Sequence, residues 1–299
     1  MSGRALSFGA RAEAYERFRP GYPDELVDVV AEFAGRPVRT ALEIGAGTGK
    51  ATRLFVRHGI AVTATEPDGA MLAELRKHVP AHVRMVRAAF EELRPGGAAG
   101  AGGTGGTGGG ESPGEGAGEG GAGAGIRAGA GVGVGTYGLV YAAAALHWTD
   151  PDGRWPRVAA LLEPGGVFAS FGGPVELADP ALAEAIRAAR APFLDSDDIP
   201  SPDGTPPDHA MQWPGTELRR SAWFTDVQQV LIRRRLSMSA DDYLGHLSTI
   251  SAYLMLPAPE RAQAFRAIGQ VLPATVGIAA DITAHLARRR PDPAAPKPS

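Results

Sequence analysis

Between Thr40 and Gly49 the chain reads Thr-Ala-Leu-Glu-Ile-Gly-Ala-Gly-Thr-Gly, and this stretch most narrows the folds open to it. A short apolar run that closes on Gly45, Gly47 and Gly49 is a buried strand turning sharply toward a helix. The glycines remove side chains where the backbone must bend or where a ligand must lie against it. Glu43 precedes them, and a second apolar run, Ala61-Val-Thr-Ala-Thr, ends on another acid, Glu66. Strand, glycine turn, helix, strand and acid together describe a nucleoside-type binding unit.

The flanking pattern repeats this unit. After the glycines, Lys50 to His58 carries Leu54 and Phe55 on one helical face. Pro67-Asp-Gly then opens a helix bearing Met71, Leu72 and Leu75, and His82–Val86 is a third strand. The order β-α-β-α-β implies a parallel sheet with right-handed crossovers. Upstream, two helical segments within 12–33 are separated by the breaker Arg19-Pro-Gly-Tyr-Pro23. Downstream, Tyr137–Ala142 is a fourth strand, a helix covers about 154–162, and a Pro-Gly-Gly turn feeds a fifth strand ending near Phe171. Helix 180–191 and a Pro/Asp-rich loop follow. A strand-like run at Val227–Leu236, helices at 240–256 and 259–271, and a last strand at Ile282–Leu286 complete the pattern. Residues 96–135 are dominated by glycine and cannot bury enough surface to offset their backbone entropy, so a disordered insertion is expected there.

These elements predict one domain over 1–290. Its expected parts are N-terminal lid helices to residue 35, a cofactor-binding core at 36–95 and 136–172, a cap at 173–222, and C-terminal strands and helices at 223–290. The Pro-rich tail 291–299 is expected to be disordered. The 299 residues carry a formal charge of −3, which gives no reason to expect nucleic acid or an anionic membrane as partner. No run approaches a bilayer span and Met1–Phe8 lacks a signal-peptide core, so a cytoplasmic protein, monomer or homodimer, is expected. With no cysteine there can be no disulfide or thiolate chemistry. The histidines show no ligand spacing with one another, so no metal is expected.

The glycine spacing separates two cofactor classes. A dinucleotide loop is usually Gly-x-Gly-x-x-Gly, yet here Lys50 stands at the third glycine's place. A carboxylate at Glu43 would repel a pyrophosphate and attract a cation, while Glu66 can accept from both hydroxyls of a ribose. A cationic, ribose-bearing, phosphate-free ligand satisfies both acids, and S-adenosylmethionine is such a ligand.

At this point the chain resembles the class I S-adenosylmethionine-dependent methyltransferases, and within them the small-molecule group that includes ubiquinone/menaquinone-biosynthesis and trans-aconitate methyltransferases. The matching stretches are Leu42–Gly49, Val62–Asp68, Ala89–Leu93, Gly138–Trp148, Leu162–Val167 and Tyr15–Pro23. The resemblance implies a doubly wound, Rossmann-like α/β fold with a mostly parallel seven-stranded sheet and an inserted helical cap. It implies that Gly45, Ala46 and Gly47 present backbone to the cofactor, with Thr48 and Gly49 in the same loop. Glu43 would hold the methionine amino end and Glu66, next to Pro67, the ribose. Met71 would pack on the adenine, and Ala89, Phe90 and Glu91 would lie near its amino group. Tyr15, Arg19 and Tyr22 would close over the site, and Ala143 would border it. Two positions depart from the pattern: Ala89 stands where many relatives have aspartate, and Tyr137-Gly138 replaces a common Phe-Asp.

His147 has two readings, a general base just past a strand end or a pocket wall with Trp148. Arg233-Arg-Arg235 is read as a solvated strand face rather than a nucleic-acid patch. The functional expectation is methyl transfer to a small organic acceptor. A non-catalytic S-adenosylmethionine-binding module and a nicotinamide-dependent oxidoreductase are the alternatives.

Overall fold

The structure is a computed structural model that describes residues 11–93, 127–128, 135–197 and 200–291. Helices α1 (Ala12–Phe18) and α2 (Glu25–Ala34) precede the first strand. The sheet unit then runs β1 (Thr40–Ile44), α3 (Lys50–Arg57), β2 (Ala61–Thr65), α4 (Gly69–His78) and β3 (Arg84–Arg87). It continues with β4 (Arg127–Ala128), β5 (Tyr137–Ala143), α5 (Arg154–Leu161) and β6 (Leu162–Gly172). Beyond it come β7 (Glu176–Leu177), α6 (Pro180–Arg190), α7 (Gly215–Arg220), β8 (Phe224–Ile232) and β9 (Arg235–Ser239). Helices α8 (Ala240–Leu247), α9 (Ser251–Leu254) and α10 (Ala258–Val271) lead to β10 (Thr275–Ala279) and β11 (Ile282–Arg289).

The main sheet has the order β4-β3-β2-β1-β5-β6-β11-β8. It is parallel from β4 to β6, and β11 enters antiparallel between β6 and β8. Seven of these strands form the expected doubly wound sheet, and the two-residue β4 extends its edge beside β3. Arg127 and Ala128 belong to the glycine-rich stretch expected to be disordered; 94–126 and 129–134, and the tail from 292, lie outside the described residues.

Burial explains why the strands sit where they do. The central strands β1 and β5 are covered on both faces and read as continuous apolar runs. On one face Leu26, Val30, Leu54, Phe55, Leu139 and Tyr141 share a core with β6 and β11. On the other, Leu42, Val140, Val158, Phe168, Leu218 and Phe224 pack together. Each such buried side chain contributes about 2 kcal/mol. The guanidinium of Arg154, only 2 % exposed, is held there by Thr149 Oγ1 and Thr149 O, both at 2.8 Å, and by Glu217 at 3.3 Å.

The cap differs in composition from the expected stretch 173–222. A three-stranded antiparallel sheet, β7-β10-β9, packs with α6, α8, α9 and α10 around Ile186, Tyr243, Leu247, Tyr253 and Ile268. Helix α7, inside the expected cap, instead lies against the main sheet through Leu218. The run read as one strand at Val227–Leu236 is two: β8 ends at Ile232, and after Arg233-Arg234 the chain enters the cap as β9. The helix expected over 240–256 breaks after Leu247 and resumes at Ser251. Alternation of apolar residues marks a strand but not the sheet it joins.

Candidate active site

The carboxyl ends of β1, β5 and β6 meet at one edge of the main sheet, where the chain order reverses on either side of β1. Such a switch point leaves a crevice. The pocket there is floored by Glu43, Gly45, Ala46, Gly47 and Thr48 after β1, and by Ala143 and Ala144 after β5. Its other walls are Gly172–Val175 after β6, Ala280–Ile282 before β11, and Arg234 between β8 and β9. Tyr15, Arg19 and Tyr22 come over it from the N-terminal segment.

The glycine loop cannot be built from other residues. Gly45 has φ +65°, and a Cβ there would stand 2.7 Å from the Cβ of Ala145. Gly47 also has positive φ, +56°, and its N–H donates to Glu66 Oε2 at 2.9 Å. Ala144, opposite the loop, is held at φ +51°, a conformation an alanine rarely adopts. Its N–H donates to the Phe171 carbonyl at 2.8 Å, which keeps it there.

Glu43 is 1 % exposed. Its Oε2 accepts from Thr52 Oγ1 at 2.5 Å and from the Tyr141 hydroxyl at 2.9 Å, while its Oε1 is buried without a partner. Burial pushes the carboxyl up to about 8, against the two hydrogen bonds that favour its ionised form. Tyr141 is itself wedged between Phe55 and Phe171, with ring centroids at 4.4 and 5.8 Å, so its hydroxyl is aimed by packing. Glu66 receives the Gly47 N–H on one oxygen and the Asp68 N–H on the other, both at 2.9 Å, and burial pushes it up to about 6. Each oxygen retains a lone pair for a further donor.

Helix α1 is tied down across this loop. Glu16 accepts from Arg53 at 2.7 Å, and Lys50 Nζ reaches the Glu16 carbonyl at 2.5 Å. Arg19 spends its guanidinium on the cap, donating to Thr249 Oγ1 at 2.8 Å and Thr249 O at 3.1 Å. Tyr22 stands edge-on to Phe171 at 5.2 Å.

Of the residues singled out from the sequence, Tyr15, Arg19, Tyr22, Glu43, Gly45, Ala46, Gly47, Thr48 and Ala143 line this pocket. Gly49, Glu66, Pro67, Met71, Ala89, Phe90 and Glu91 lie outside its lining. Glu66 still reaches it through Gly47, whereas Gly49 caps α3. Met71 and Phe90 are each 4 % exposed. The Ala89 N–H is taken by Glu92 at 2.9 Å, and Glu91 accepts from the Asp150 N–H at 2.7 Å. His147 does not line the pocket; it lies 4.6 Å from the Trp148 ring, and burial together with Arg154 lowers it to about 4. Sequence reasoning passed over Tyr141, Thr52 and Arg234. Only Arg234 left a signal, as the middle of three arginines at a strand end.

The comparisons with known proteins bear on the sequence around the loop and on the fold. Residues 42–98, which contain the glycine loop and Glu66, match the family model described as a methyltransferase domain. The stretch that holds the glycine loop is similar to a methyltransferase domain. Uncharacterised methyltransferases of Mycobacterium bovis and Mycobacterium tuberculosis are each 33 % identical to it over 162 residues. That match covers 54 % of this chain and half the length of either relative. Among solved structures, a type II methyltransferase candidate from Anaeromyxobacter dehalogenans superposes with TM-score 0.55 at 21 % identity. It covers 92 % of this chain and 99 % of its own. The fold is therefore shared with that structure, a doubly wound, mostly parallel sheet with flanking helices, and the pocket lies at the carboxyl ends of its strands. Among the described residues no helix is long and apolar enough to cross a membrane, and no group of three or more acidic or histidine side chains could hold a metal ion.

Proposed function

We propose that the protein is an S-adenosylmethionine-dependent methyltransferase acting on a small organic acceptor. The observation that carries this is Glu43: a buried carboxyl beneath a positive-φ glycine loop, with one oxygen held by Thr52 and Tyr141 and the other unpartnered at the pocket. A buried polar atom without a partner is costly, and a ligand ammonium would relieve it. A pyrophosphate offers that oxygen no donor and would hold the carboxyl in its neutral form, which disfavours a nicotinamide cofactor.

In this reading Glu43 holds the cofactor's amino group, the Gly45–Gly47 backbone lies against its methionine and ribose portions, and Glu66 accepts from the ribose. The cofactor supplies an electrophilic methyl on a sulfonium. The protein's part is to align the acceptor with that methyl and keep water out, and positioning of this kind is worth several kcal/mol. Tyr15 and Tyr22 close the pocket above. We place no proton transfer on His147, since a base whose conjugate acid loses its proton near 4 has little driving force at neutral pH.

The test is calorimetry with S-adenosylmethionine and with NAD, followed by incubation with methyl-labelled cofactor and a bacterial metabolite extract. Binding of S-adenosylmethionine and a labelled small-molecule product are expected. Binding of NAD alone would overturn the proposal, and cofactor binding without any labelled product would leave a binding module in its place.

A further inference from the structure

The pocket carries charged groups at both ends. On the β1 side stands Glu43, the acid with an open oxygen. On the β6–β11 side stands Arg234, at the point where the chain leaves the main sheet for the cap. Its Nη1 donates to the Gly21 carbonyl at 2.8 Å, a neutral acceptor. Asp281 lines the same wall and is neutralised by a neighbour: its Oδ1 takes the Arg234 backbone N–H at 2.8 Å and the Arg235 guanidinium at 2.6 Å. Among the described residues no carboxylate pairs with the Arg234 side chain. Half-buried, it carries a desolvation cost that Tyr22 and the Gly21 carbonyl oppose only in part.

Tyr22, Pro174, Val175 and Ile282 line the same pocket and give it apolar surface. A guanidinium that lines a pocket without an acid partner is a ready fork for a carboxylate. Of the other pocket cations, Lys50 is paired with Glu16, and Arg19 spends Nε and Nη2 on Thr249 whereas Arg234 makes a single bond to a carbonyl.

Resting on the methyltransferase reading, we propose that Arg234 recognises the methyl acceptor, and that this acceptor is a small organic anion, a carboxylate on an apolar body. The same fork could in chemistry take the carboxylate of the cofactor's own methionine. The position of Arg234 past β8, on the far side of β6 from the glycine loop, favours the acceptor.

The experiment uses the full chain, methyl-labelled S-adenosylmethionine and a small-molecule extract split on an anion exchanger before the assay. Wild type, Arg234→Gln and Arg234→Lys are run on both fractions, and S-adenosylmethionine affinity is measured for each by calorimetry. Labelled product is expected from the retained, anionic fraction. Arg234→Gln should lower its formation at limiting extract by about tenfold or more, with Arg234→Lys in between and cofactor affinity within about twofold of wild type. Cofactor affinity falling about tenfold in Arg234→Gln would assign the fork to the cofactor's carboxylate and overturn the proposal. It is also overturned by product from the unretained fraction, by wild-type labelling in Arg234→Gln, or by no product from either fraction while the cofactor binds. Absence of cofactor binding in wild type would instead overturn the methyltransferase reading itself. Should Arg234→Gln not fold, Arg234→Lys carries the comparison, since its stem is kept and only the fork is lost.

Discussion

Replacing Glu43 by glutamine should flatten the pH dependence of stability in the cofactor-free protein. The Glu43 carboxyl is pushed from an ordinary 4.5 up to about 8 in the folded chain. A group whose folded value is raised contributes stability that is complete below its unfolded value and is lost as pH rises to the folded one. For Glu43 that window runs from 4.5 to about 8. Glu66, raised to about 6, acts only in its lower part. The buried His147, His285 and His246, lowered to about 4, about 4 and about 3, act with opposite sign, mainly below their ordinary 6.5 and with a tail above it. Between pH 6.5 and 8 the slope therefore belongs chiefly to Glu43. At about 1.4 kcal/mol per pH unit, the Glu43 contribution falls by about 1.5–2 kcal/mol across this span and the histidines return about 1 kcal/mol, a net fall in Tm of about 1–4 °C. Glutamine keeps the shape and offers groups to Thr52 and Tyr141 without the titration, so its Tm should hold level or rise slightly. Differential scanning fluorimetry at several pH values reads this directly. A wild-type Tm that is constant or rises from pH 6.5 to 8, or an equal slope in Glu43→Gln, would refute the reasoning.

Other outcomes follow from the same contacts. Binding of S-adenosylmethionine at pH 7 should release protons from wild type, since a cofactor ammonium would draw the proton off Glu43; calorimetry in buffers of different ionisation enthalpy counts them, and Glu43→Gln should release none. Glu66→Ala should weaken cofactor binding by about tenfold or more and leave the Gly47 and Asp68 N–H groups unpaired; unchanged affinity removes Glu66 from the ribose. His147→Ala should keep turnover within about threefold, and a hundredfold loss with a vanished limb near pH 4 in the rate profile would restore the base role. A Cβ at Gly245 would stand 2.5 Å from the Phe18 ring, so Gly245→Ala should cost about 1–3 kcal/mol and speed tryptic cleavage at Arg17 and Arg19.

The core was legible in the sequence because its signals are local. A strand covered on both faces must be apolar throughout, so β1 and β5 announced themselves. A loop with φ of +65° and +56° two residues apart requires glycine, so the turn after β1 did too. The acids Glu43 and Glu66 stood at strand ends, where the order of elements already indicated a crevice. What periodicity could not convey was partnership between distant segments. The cap sheet joins β7, β9 and β10 across about a hundred residues of chain, and no residue in those strands records which neighbour it will meet.

By itself, then, the sequence determined the strand–glycine–helix unit, its two acids and the class of ligand they suit, because backbone sterics and strand burial act on adjacent residues. Tertiary structure alone decided the rest. It set the Tyr141 hydroxyl and Thr52 on one oxygen of Glu43 and left the other bare. It drew His147 away from the pocket and brought Arg234, one of three arginines alike in sequence, into its wall. Charge and chemistry belong to the residue, but whether a charge is paired, buried or free depends on neighbours that only the folded chain supplies.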